Sequence, residues 1–578
     1  MKKKIINIIE ASVSFVGILI SSKLIYNKGA FNFWITLSFF FILYFYLKTD
    51  SHLNKREKKY TIFLSAVISF LLSLGSIVSI YIDLEAQSIF NTKNSIYFIV
   101  SLIGLYVFFY KLFGVLIKKV NKISLIEEHN KMSKKTFILI TLAIFAVYFL
   151  YFIRFYPAIM TPDSYYVIHY ANNFILSDYH PLGHTWFFGT FFHLGKFLFH
   201  NLNMAVALST IIQMIIQSLI FSNAIRYFYN KGLKKSATIV IFLIYALSPL
   251  HAYYSITLWR DILFSSSFVI TLISLYEFIT NEKRISKIYI ILFIISMLIM
   301  MFFRNNGIYI FIFIIPFIIY YMKEKSILFS IISVLLLAFY FIIKGPVFDY
   351  YNVERTTSVE AYSIPLQQMA RVIASSKEIP KDDYDYLNKL FKYDKVKEEY
   401  KTYISDPIKS VADNNVLSSD KKDFFKTYIS LMIKYPTIYF DAYFLQTLGY
   451  WYPDIIYDCT AGESASIFPS ENIYSMPLTP KIYNKLINIT VSRDIPLSNL
   501  IWSIGLHFIL LVISMTLICY YKKKKYLLCL VPIFGLWLSI MVATPVFCEL
   551  RYVYGMFTCM PLIIFLPFII KGKKEAND

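Results

Sequence analysis

Charged residues are scarce in this chain. Only 16% of its 578 residues are Asp, Glu, Lys or Arg, whereas 57% are hydrophobic and 19% are aromatic. A soluble domain carries about 25% charged and about 45–50% apolar residues, so this composition excludes an ordinary soluble globular protein. Apolar runs of about 18 residues or more recur from one end of the chain to the other. The sequence therefore predicts an all-α polytopic membrane protein.

Cysteine is also scarce, with five residues in the whole chain. Cys519, Cys529 and Cys559 lie inside apolar runs, where a thiol packs as a small hydrophobic group. Cys459 and Cys548 fall in segments predicted to lie outside the membrane, so a disulfide between them is an open alternative. The sequence does not fix the distance between their Cα atoms, and that distance decides whether they can be bridged.

We expect no cleavable signal peptide. The lysines at positions 2–4 resemble the start of one, but the apolar run that follows them is long and lacks a small-residue cleavage site.

The net charge of +21 does not indicate nucleic-acid binding, because the charge is unevenly distributed. Basic and acidic residues are nearly balanced between positions 344 and 499, so the basic excess lies elsewhere. An excess of Lys and Arg in short loops is typical of the cytoplasmic side of a membrane protein. The basic loops are residues 48–59, 118–135, 226–235, 283–287, 522–525 and 571–574.

Hydrophobicity predicts about fourteen transmembrane helices. If the N-terminus is cytoplasmic, every basic loop falls on the cytoplasmic side, together with the C-terminus. The Lys-, Ile-, Asn- and Tyr-rich usage is typical of an AT-rich bacterial genome, so we expect a multi-pass protein of a bacterial plasma membrane. The predicted spans are 5–25, 30–47, 60–82, 95–117, 136–155, 204–222, 237–256, 262–279, 287–303, 307–322, 326–343, 500–521, 526–543 and 552–570.

These spans divide the chain into four predicted regions. They are an N-terminal four-helix region (1–135), a transmembrane core (136–343) with an external loop (156–203), an extracytoplasmic domain (344–499) and a C-terminal three-helix region (500–578). The extracytoplasmic domain has ordinary soluble composition, and residues 381–409 and 420–434 read as charged amphipathic helices.

The external loop 156–203 is too polar to be embedded in lipid and too apolar to be a free linker. Pro157 and Pro162 interrupt the helix that leaves the membrane. Asp163 follows in the first turn of a predicted amphipathic helix, with Tyr166 at helical spacing, and a second helix is predicted over 184–199. As a general base, Asp163 is suited to remove a proton from an attacking hydroxyl. The alternative is a helix cap in Thr-Pro-Asp-Ser.

Several further charged or histidine side chains are predicted at the outer ends of the membrane helices, where burial is costly and calls for a partner. Asp178, His180 and His184, with Asp163, are candidate ligands of a divalent cation such as Mg²⁺ or Mn²⁺, which would neutralise a donor phosphate. The proposed metal set is Asp163, Asp178 and His180. Structural hydrogen-bonding histidines are the alternative, because the spacing matches no closed zinc site.

Arg260, Arg304 and Arg551 are candidate ligands of a phosphate or pyrophosphate, because guanidinium groups bind such oxygens in bidentate fashion. A snorkelling arginine, or a structural pair between Arg260 and Asp261, is the alternative. Candidate substrate-binding residues share polar or aromatic character beside these arginines or in turns of the external domain. They are Tyr166, His180, His184, Asn305, Gln367, Trp451 and Glu549. Trp451 and its neighbours either stack on a sugar or belong to an interfacial aromatic belt.

Residues 136–570 resemble the GT-C superfamily of membrane glycosyltransferases, which use polyprenyl-phosphate sugars. The resemblance lies in the Tyr-Pro-x5-Asp of 156–163, His180-Pro181, Arg304-Asn305 and Arg551-Tyr552. More narrowly, SIPLQQMAR at 363–371, GYWYP at 449–453 and ELRY at 549–552 resemble the bacterial family DUF6020. The resemblance implies a GT-C-like core with juxtamembrane helices in the external loop. It also implies an inverting sugar transfer with Asp163 as base and Arg304 and Arg551 on the donor phosphate.

We therefore expect a glycosyltransferase that moves a sugar from a polyprenyl phosphate to a glycan, lipid or protein acceptor at the outer membrane face. A polysaccharide polymerase or ligase that uses a pyrophosphate-linked oligosaccharide is a second possibility, and it would depend more on arginine than on an Asp base. A transporter or flippase is a third. Polar groups gathered at one face, and the large external domain, favour an enzyme over a transporter built from related halves.

Overall fold

The computed structural model describes residues 2–22, 33–49, 52–84, 87–281, 284–455, 473–474, 476–492 and 499–571. Within these ranges the ordered elements are helices, and extended pairing is limited to isolated β-bridges. The all-α prediction is therefore confirmed for the described part of the chain.

In chain order, the helices are grouped by the four regions that the sequence predicts. The N-terminal region contains α1 (Lys2–Ser21), α2 (Phe33–Lys48), α3 (Lys55–Val78) and α4 (Thr92–Lys122). The core region contains α5 (Lys134–Arg154), α6 (Pro162–Asn172), α7 (Leu182–Phe199), α8 (Leu202–Asn230), α9 (Lys235–Leu247), α10 (Pro249–Ser255), α11 (Asp261–Thr280), α12 (Lys287–Phe303), α13 (Gly307–Tyr321) and α14 (Ser326–Ile342). The short helix α15 (Phe348–Tyr350) begins the predicted external segment.

The remaining helices form the predicted external segment and the C-terminal region. The external segment contains α16 (Ser363–Ala374), α17 (Lys381–Leu390), α18 (Tyr393–Glu399), α19 (Asp406–Val411), α20 (Asn414–Ser419), α21 (Lys421–Lys434), α22 (Pro436–Thr447), α23 (Lys481–Val491) and α24 (Asn499–Trp502). The C-terminal region contains α25 (Ile504–Tyr520), α26 (Val531–Ala543) and α27 (Tyr554–Lys571).

Each predicted span contains a helix, but the helices differ in length. Among the described residues, eight helices are long and apolar enough to cross a bilayer, or up to nine if one bent pair forms a single span. The helices α12, α13, α25 and α26 are apolar but shorter. This composition agrees with a polytopic membrane protein, and the count of fourteen spans stays a prediction.

The bent pair replaces the single span predicted over 237–256. The helices α9 and α10 meet at Ser248 with a bend of 50°. Pro249 begins α10, and a proline cannot donate the backbone hydrogen bond that a continuous helix needs at that point. The break turns α10 towards the loop that follows α5, which contains the candidate site.

The external segment has a hydrophobic core of its own. Leu366, Leu387, Leu417 and Leu431, from four different helices, are completely buried together in that core. The two stretches predicted as amphipathic helices are helical, as α17–α19 and α21. Cys459 lies outside the described residues, so the possible disulfide with Cys548 cannot be described.

Short backbone pairings hold the external segment against the membrane helices. Asp178 donates its backbone N–H to the Glu354 carbonyl at 2.8 Å, and the Glu354 N–H returns to the Leu176 carbonyl at 3.0 Å. Ser405 donates to the Pro545 carbonyl at 2.8 Å, just before the last helix. Because these pairings flank residues 178–180 and 549–551, they fix the external segment beside the candidate site.

Candidate active site around Asp163

The loop after α5 is held in place by backbone pairing with the loop after α10. The Ile159 N–H donates to the Ile256 carbonyl at 3.0 Å, and the Leu258 N–H donates to the Ile159 carbonyl at 3.2 Å. The chain then enters α6 through Thr161, whose hydroxyl accepts from the Ser164 N–H while the Ser164 hydroxyl accepts from the Thr161 N–H. This reciprocal cap satisfies the first turn of the helix without Asp163.

Asp163 is therefore not the helix cap, and that alternative prediction is wrong. The carboxylate lies in the first turn of α6, where the helix dipole favours negative charge, and its side chain points elsewhere. Its Oδ2 lies 2.5 Å from Nη1 of Arg551, an ion pair between residues 388 positions apart. The Asp163 side chain keeps 35% of its surface exposed and Arg551 keeps 20%, so the pair is open on one side.

Two aromatic rings contact the Arg551 guanidinium. The ring centroids of Trp259 and Tyr552 each lie 5.1 Å from its central carbon. The Trp259 indole also donates to the Thr161 hydroxyl at 2.8 Å, which joins the arginine's platform to the cap of α6. Since a guanidinium over an aromatic face gains electrostatic stabilisation, Arg551 is preorganised beside Asp163.

Arg304 forms the second ion pair of the cluster. Its Nη1 lies 2.9 Å from Oδ1 of Asp261, and it donates to the Tyr552 carbonyl at 3.0 Å. The Tyr552 ring lies 4.6 Å from the Arg304 guanidinium carbon, so one tyrosine contacts both arginines. The predicted alternative of an Arg260–Asp261 pair is therefore wrong: Asp261 begins α11 and turns to Arg304, while Arg260 turns to a histidine.

That histidine is His180. Arg260 donates from Nη1 to His180 Nδ1 at 3.0 Å and contacts the Tyr179 carbonyl at 3.4 Å. Because Nδ1 accepts, the proton of the neutral ring lies on Nε2. Burial lowers the pKa of His180 to about 4, with a further lowering by the Arg260 charge, so the ring is neutral at pH 7. Within the described part of the chain, His180 Nε2 is buried and has no hydrogen-bond partner.

The two carboxyl groups beside Arg551 have opposite pKa shifts. Burial alone would raise the pKa of Asp163, but Arg551, Arg260 and His180 outweigh it and lower the value to about 2. Burial raises the pKa of Glu549, although Arg551 partly opposes the effect. Glu549 Oε1 lies 3.6 Å from Arg551 Nε, too far for a hydrogen bond. Paired groups with diverging pKa values are typical of acid–base sites.

Three more predicted residues lie in or beside this cluster. Tyr166 stacks on the His180 ring with centroids 5.6 Å apart and is 39% exposed. His184 is buried against Phe303 with centroids 5.7 Å apart, and burial, helped by the charge of Arg260, lowers its pKa to about 3. Glu549 is tied to the fold through its backbone N–H, which donates to the Tyr450 hydroxyl at 3.1 Å.

Asp178 and Asn305 form a separate, fully paired contact. Both carboxylate oxygens of Asp178 lie 2.6 Å from Lys344 Nζ, which also donates to Asn305 Oδ1 at 3.2 Å. The Thr356 hydroxyl donates to the Asp178 carbonyl at 2.9 Å, which ties the external segment to the same point. We call this cluster of Asp178, Asn305, Lys344 and Thr356 the lysine latch.

This arrangement does not fit the predicted metal set of Asp163, Asp178 and His180. The Asp178 carboxylate faces Lys344, the Asp163 carboxylate faces Arg551, and His180 Nδ1 faces Arg260. A divalent cation requires anionic or neutral donors turned towards it, and here each donor is turned towards a cation. Among the described residues, no three His, Cys, Asp or Glu side chains form a metal-binding group.

Gln367 and Trp451 are placed in protein interiors. Gln367 is fully buried and donates to the Lys401 carbonyl inside the external segment. Trp451 is 4% exposed in the main core, and its indole donates to the Thr447 hydroxyl at 3.3 Å. The open aromatic rings beside the arginine cluster are those of Tyr166 and of Tyr179, which is 47% exposed.

The sequence alone does not reveal which side chains contact one another in the site. The sequence does not indicate that Trp259 and Tyr552 support Arg551. It offers Asp261 only as a possible ion-pair partner of its neighbour Arg260. The signal that was available is the position of both aromatic residues directly beside charged residues at the start of apolar helices, in Trp259-Arg260-Asp261 and Glu549-Leu550-Arg551-Tyr552.

No curated protein and no solved structure matches this chain at a significant level. A family model matches residues 33–578, nearly the whole chain, and its description is a family of unknown function. The chain therefore belongs to the family DUF6020.

Proposed function

We propose that this protein is a membrane glycosyltransferase of GT-C type, which moves a sugar from a polyprenyl phosphate to an acceptor hydroxyl. The observation that carries the proposal is the convergence of Asp163, Arg551, Arg304 and Arg260 in one partly open cluster. We place this cluster at the outer face of a bacterial plasma membrane, with both termini in the cytoplasm. The basic loops of the sequence support that orientation.

The arginines suit the leaving group of such a transfer. When the bond between the sugar C1 and the phosphate oxygen breaks, negative charge develops on the polyprenyl phosphate. Arg551 and Arg304 are held ready by aromatic rings and ion pairs, so little reorganisation is needed at that moment. Charge-assisted hydrogen bonds from guanidinium to phosphate are each worth about 1.5–3 kcal/mol.

Asp163 takes the acceptor proton in this mechanism. The acceptor oxygen attacks C1 from the face opposite to the phosphate, its O–H bond breaks, and the proton passes to the carboxylate. A carboxylate with a pKa of about 2 is a weak base. A bound donor phosphate would draw Arg551 away from Asp163, raise the pKa of Asp163, and so prepare the base only when substrate is present.

His180 and Tyr166 suit the sugar itself. The neutral His180 ring offers an N–H on Nε2, which is buried without a partner in the described structure and so can donate to a sugar or phosphate oxygen. Tyr166 stacks on this ring and exposes its own face. An exposed ring beside a buried donor is typical of a site that binds one polar and one apolar face of a ligand.

The proposed transfer needs no metal ion, because the carboxylates of the predicted metal set are turned towards cations. Turnover of an undecaprenyl-phosphate-linked sugar by the purified protein should therefore be unchanged by EDTA. A loss of activity in EDTA that is restored by Mg²⁺ or Mn²⁺ would show that the substrate brings a metal into the site.

The test of the proposal is the envelope glycan profile of the host cell. Mass spectrometry of cell-envelope glycans with and without the protein should reveal a missing sugar, and Asp163→Asn should fail to restore it. The control is Asp349→Asn, because Asp349 forms an exposed ion pair with Arg355 and its side chain is 72% exposed. An unchanged glycan profile without the protein, or full restoration by Asp163→Asn, contradicts the proposal.

A polymerase or ligase that uses a pyrophosphate-linked oligosaccharide is the second candidate. The low pKa of Asp163 favours it, because a pyrophosphate transfer with three arginines at the leaving group depends less on a strong base. In that case Arg304→Gln should cost more activity than Asp163→Asn. The third reading, a transporter or flippase, predicts that proteoliposomes containing the protein take up the lipid-linked saccharide without transferring a sugar.

A further inference from the structure

The helix α23 has an exposed apolar stripe that the site does not use. Ile482, Leu486 and Ile489 follow one another at helical spacing and are 75%, 60% and 44% exposed. Lys481 and Lys485 flank this stripe on one side. A solvent-exposed helix would not normally keep three large aliphatic side chains on one line, since each costs free energy in water.

The opposite flank of α23 packs against the last turns of α5. The Tyr483 hydroxyl donates to the Leu150 carbonyl at 2.7 Å, and Thr490 shares a hydrogen bond with the Tyr151 hydroxyl at 2.8 Å. α5 is one of the helices long and apolar enough to cross a bilayer. The end of this candidate span therefore fixes both the position and the rotation of α23.

The exposed stripe of α23 continues a lipid-facing side of α5. Leu150, whose carbonyl accepts from α23, is itself 46% exposed, and Ile138, Leu142 and Phe149 of α5 are 54%, 56% and 39% exposed along its length. Only 22% of the apolar window of α5 is buried inside the protein. Exposed apolar side chains on a candidate span and on the helix that packs against its end fit one environment, the lipid leaflet around α5.

We propose that α23 is an interfacial helix. It lies in the leaflet at the C-terminal end of α5, from which the loop leads to Asp163, with Lys481 and Lys485 at anionic lipid headgroups. An amphipathic helix with an apolar face and flanking lysines buries that face at the boundary between headgroups and acyl chains. The lysines extend to the phosphates while their methylene stems remain in the apolar layer. This inference stands whether or not the protein transfers a sugar.

The position of α23 also connects this lipid contact to the candidate site. The segment before it donates two backbone hydrogen bonds, from Leu478 to the Ile153 carbonyl in the last turn of α5 at 2.9 Å and from Met476 to the Tyr156 carbonyl in the loop after α5 at 2.8 Å. Ile473 is buried in the core cluster that includes Tyr165 of α6. Leu478 and Met476 lie three and five residues before the start of α23, and Tyr156 lies seven residues before Asp163, so the leaflet-bound helix is joined directly to the loop that leads to Asp163.

Spin labelling of the full chain in lipid nanodiscs tests the proposal. Nitroxides at position 482 or 486, in a variant whose native cysteines are replaced by alanine, should be relaxed mainly by oxygen, which concentrates in lipid. A label at position 484, on the polar side of the same helix, should be relaxed mainly by water-soluble Ni-EDDA. Equal Ni-EDDA accessibility at all three positions, or immobilisation of the 482 and 486 labels by protein, overturns the proposal.

The lysines are tested by changing the lipid. In nanodiscs of phosphatidylcholine with phosphatidylglycerol, the label at 486 should lie deeper than in phosphatidylcholine alone, and Lys481→Gln with Lys485→Gln should abolish the difference. Each lysine is expected to favour the anionic leaflet about fivefold. The control is Lys421→Gln with Lys422→Gln, two exposed lysines that begin α21. If the α23 and α21 variants behave alike, the headgroup assignment is wrong.

If the cysteine-free chain does not fold, benzophenone photo-crosslinking from position 482 or 484 gives the same comparison, with lipid adducts expected only from 482.

Discussion

The carboxylates of two acid–base pairs, Asp163 and Asp178, lie fifteen residues apart in the external loop 156–203, and the two pairs differ in how completely their polar atoms are paired. In the lysine latch, both oxygens of Asp178 face Lys344, and Asn305 shares the same ammonium group. In the Asp163 cluster, only one carboxylate oxygen has a described hydrogen bond, to Arg551. The latch is a closed contact, and the Asp163 cluster retains capacity for another partner.

The unpaired atoms of the cluster show where that partner would bind. Among the described residues, Arg551 Nε and His180 Nε2 are buried without a hydrogen-bond partner. Leaving such groups unpaired costs about 1–3 kcal/mol each, a cost that stable proteins keep only at few positions. The difference between the two regions teaches that ionic character alone does not mark a site; incomplete pairing does.

The largest expected difference is in activity. Arg551→Gln should lower transfer by about 100-fold or more, because it removes a preorganised charge from the leaving group. Lys344→Met should lower it less than tenfold, because the latch does not touch the reacting atoms. Turnover of an undecaprenyl-phosphate-linked sugar by the purified variants measures both effects. Equal losses in the two variants would mean that the latch belongs to the active site.

The next effect is on stability, and here the order is reversed. Lys344→Met leaves the buried Asp178 carboxylate without its cation, and breaking a buried pair in this way costs about 3–5 kcal/mol. Asp178→Asn together with Lys344→Met should recover most of that loss, because no unpaired charge remains. Thermal unfolding in detergent measures the three midpoints. A double variant no more stable than Lys344→Met would show that the latch works through something other than charge pairing.

A pH profile separates the two carboxyl groups beside Arg551. The pKa of Asp163 is lowered to about 2, so its ion pair is fully present above the ordinary Asp pKa and is lost as the pH falls towards 2. The kcat/KM profile reports groups of the free enzyme, so with Asp163 as base it should be flat from pH 7 to about 4. The raised pKa of Glu549 predicts instead an acid limb above 4.5 if Glu549 is the base. Glu549→Gln should then abolish that limb.

The sequence predicted the parts of this molecule that depend on local pattern. Apolar runs predict a helix wherever a span was expected, although α8 extends eight residues beyond the predicted 204–222 and the span predicted over 237–256 is broken at Ser248. The two prolines and the mixed composition of the external loop mark the segment that contains Asp163. The resemblance assigns Asp163, Arg304 and Arg551 to one reaction, and the structure joins them through Tyr552 and the Asp163–Arg551 pair. The positions of charged residues at helix ends carry that information, because burial there demands a partner.

The identity of each partner was not available from the sequence. Asp261 pairs with Arg304 rather than with Arg260 because Asp261 begins α11 and faces inward, which only the packing of helices determines. Asp178 was predicted as a metal ligand and pairs with Lys344, 166 residues later. The aromatic neighbours of Trp451 allow either a sugar platform or an interfacial aromatic belt. Composition does not tell a buried tryptophan from an exposed one, since both occur in turn-rich segments near a membrane surface.

The smallest expected effect distinguishes the exposed aromatic ring from the buried one. Tyr166→Ala should raise the KM for the donor about fivefold with little change in kcat, since loss of a stacking surface removes about 1 kcal/mol of binding. Trp451→Phe should leave KM unchanged and lower only the unfolding midpoint, because the indole is buried and hydrogen-bonded to Thr447. Steady-state kinetics and thermal unfolding of both variants check the two results. Tyr166→Phe, which keeps the ring, is the matched control and should retain the wild-type KM. If Trp451→Phe instead raises the KM and leaves the unfolding midpoint unchanged, the ring that stacks on the sugar is that of Trp451. In that case, incomplete pairing of polar atoms would not identify the site.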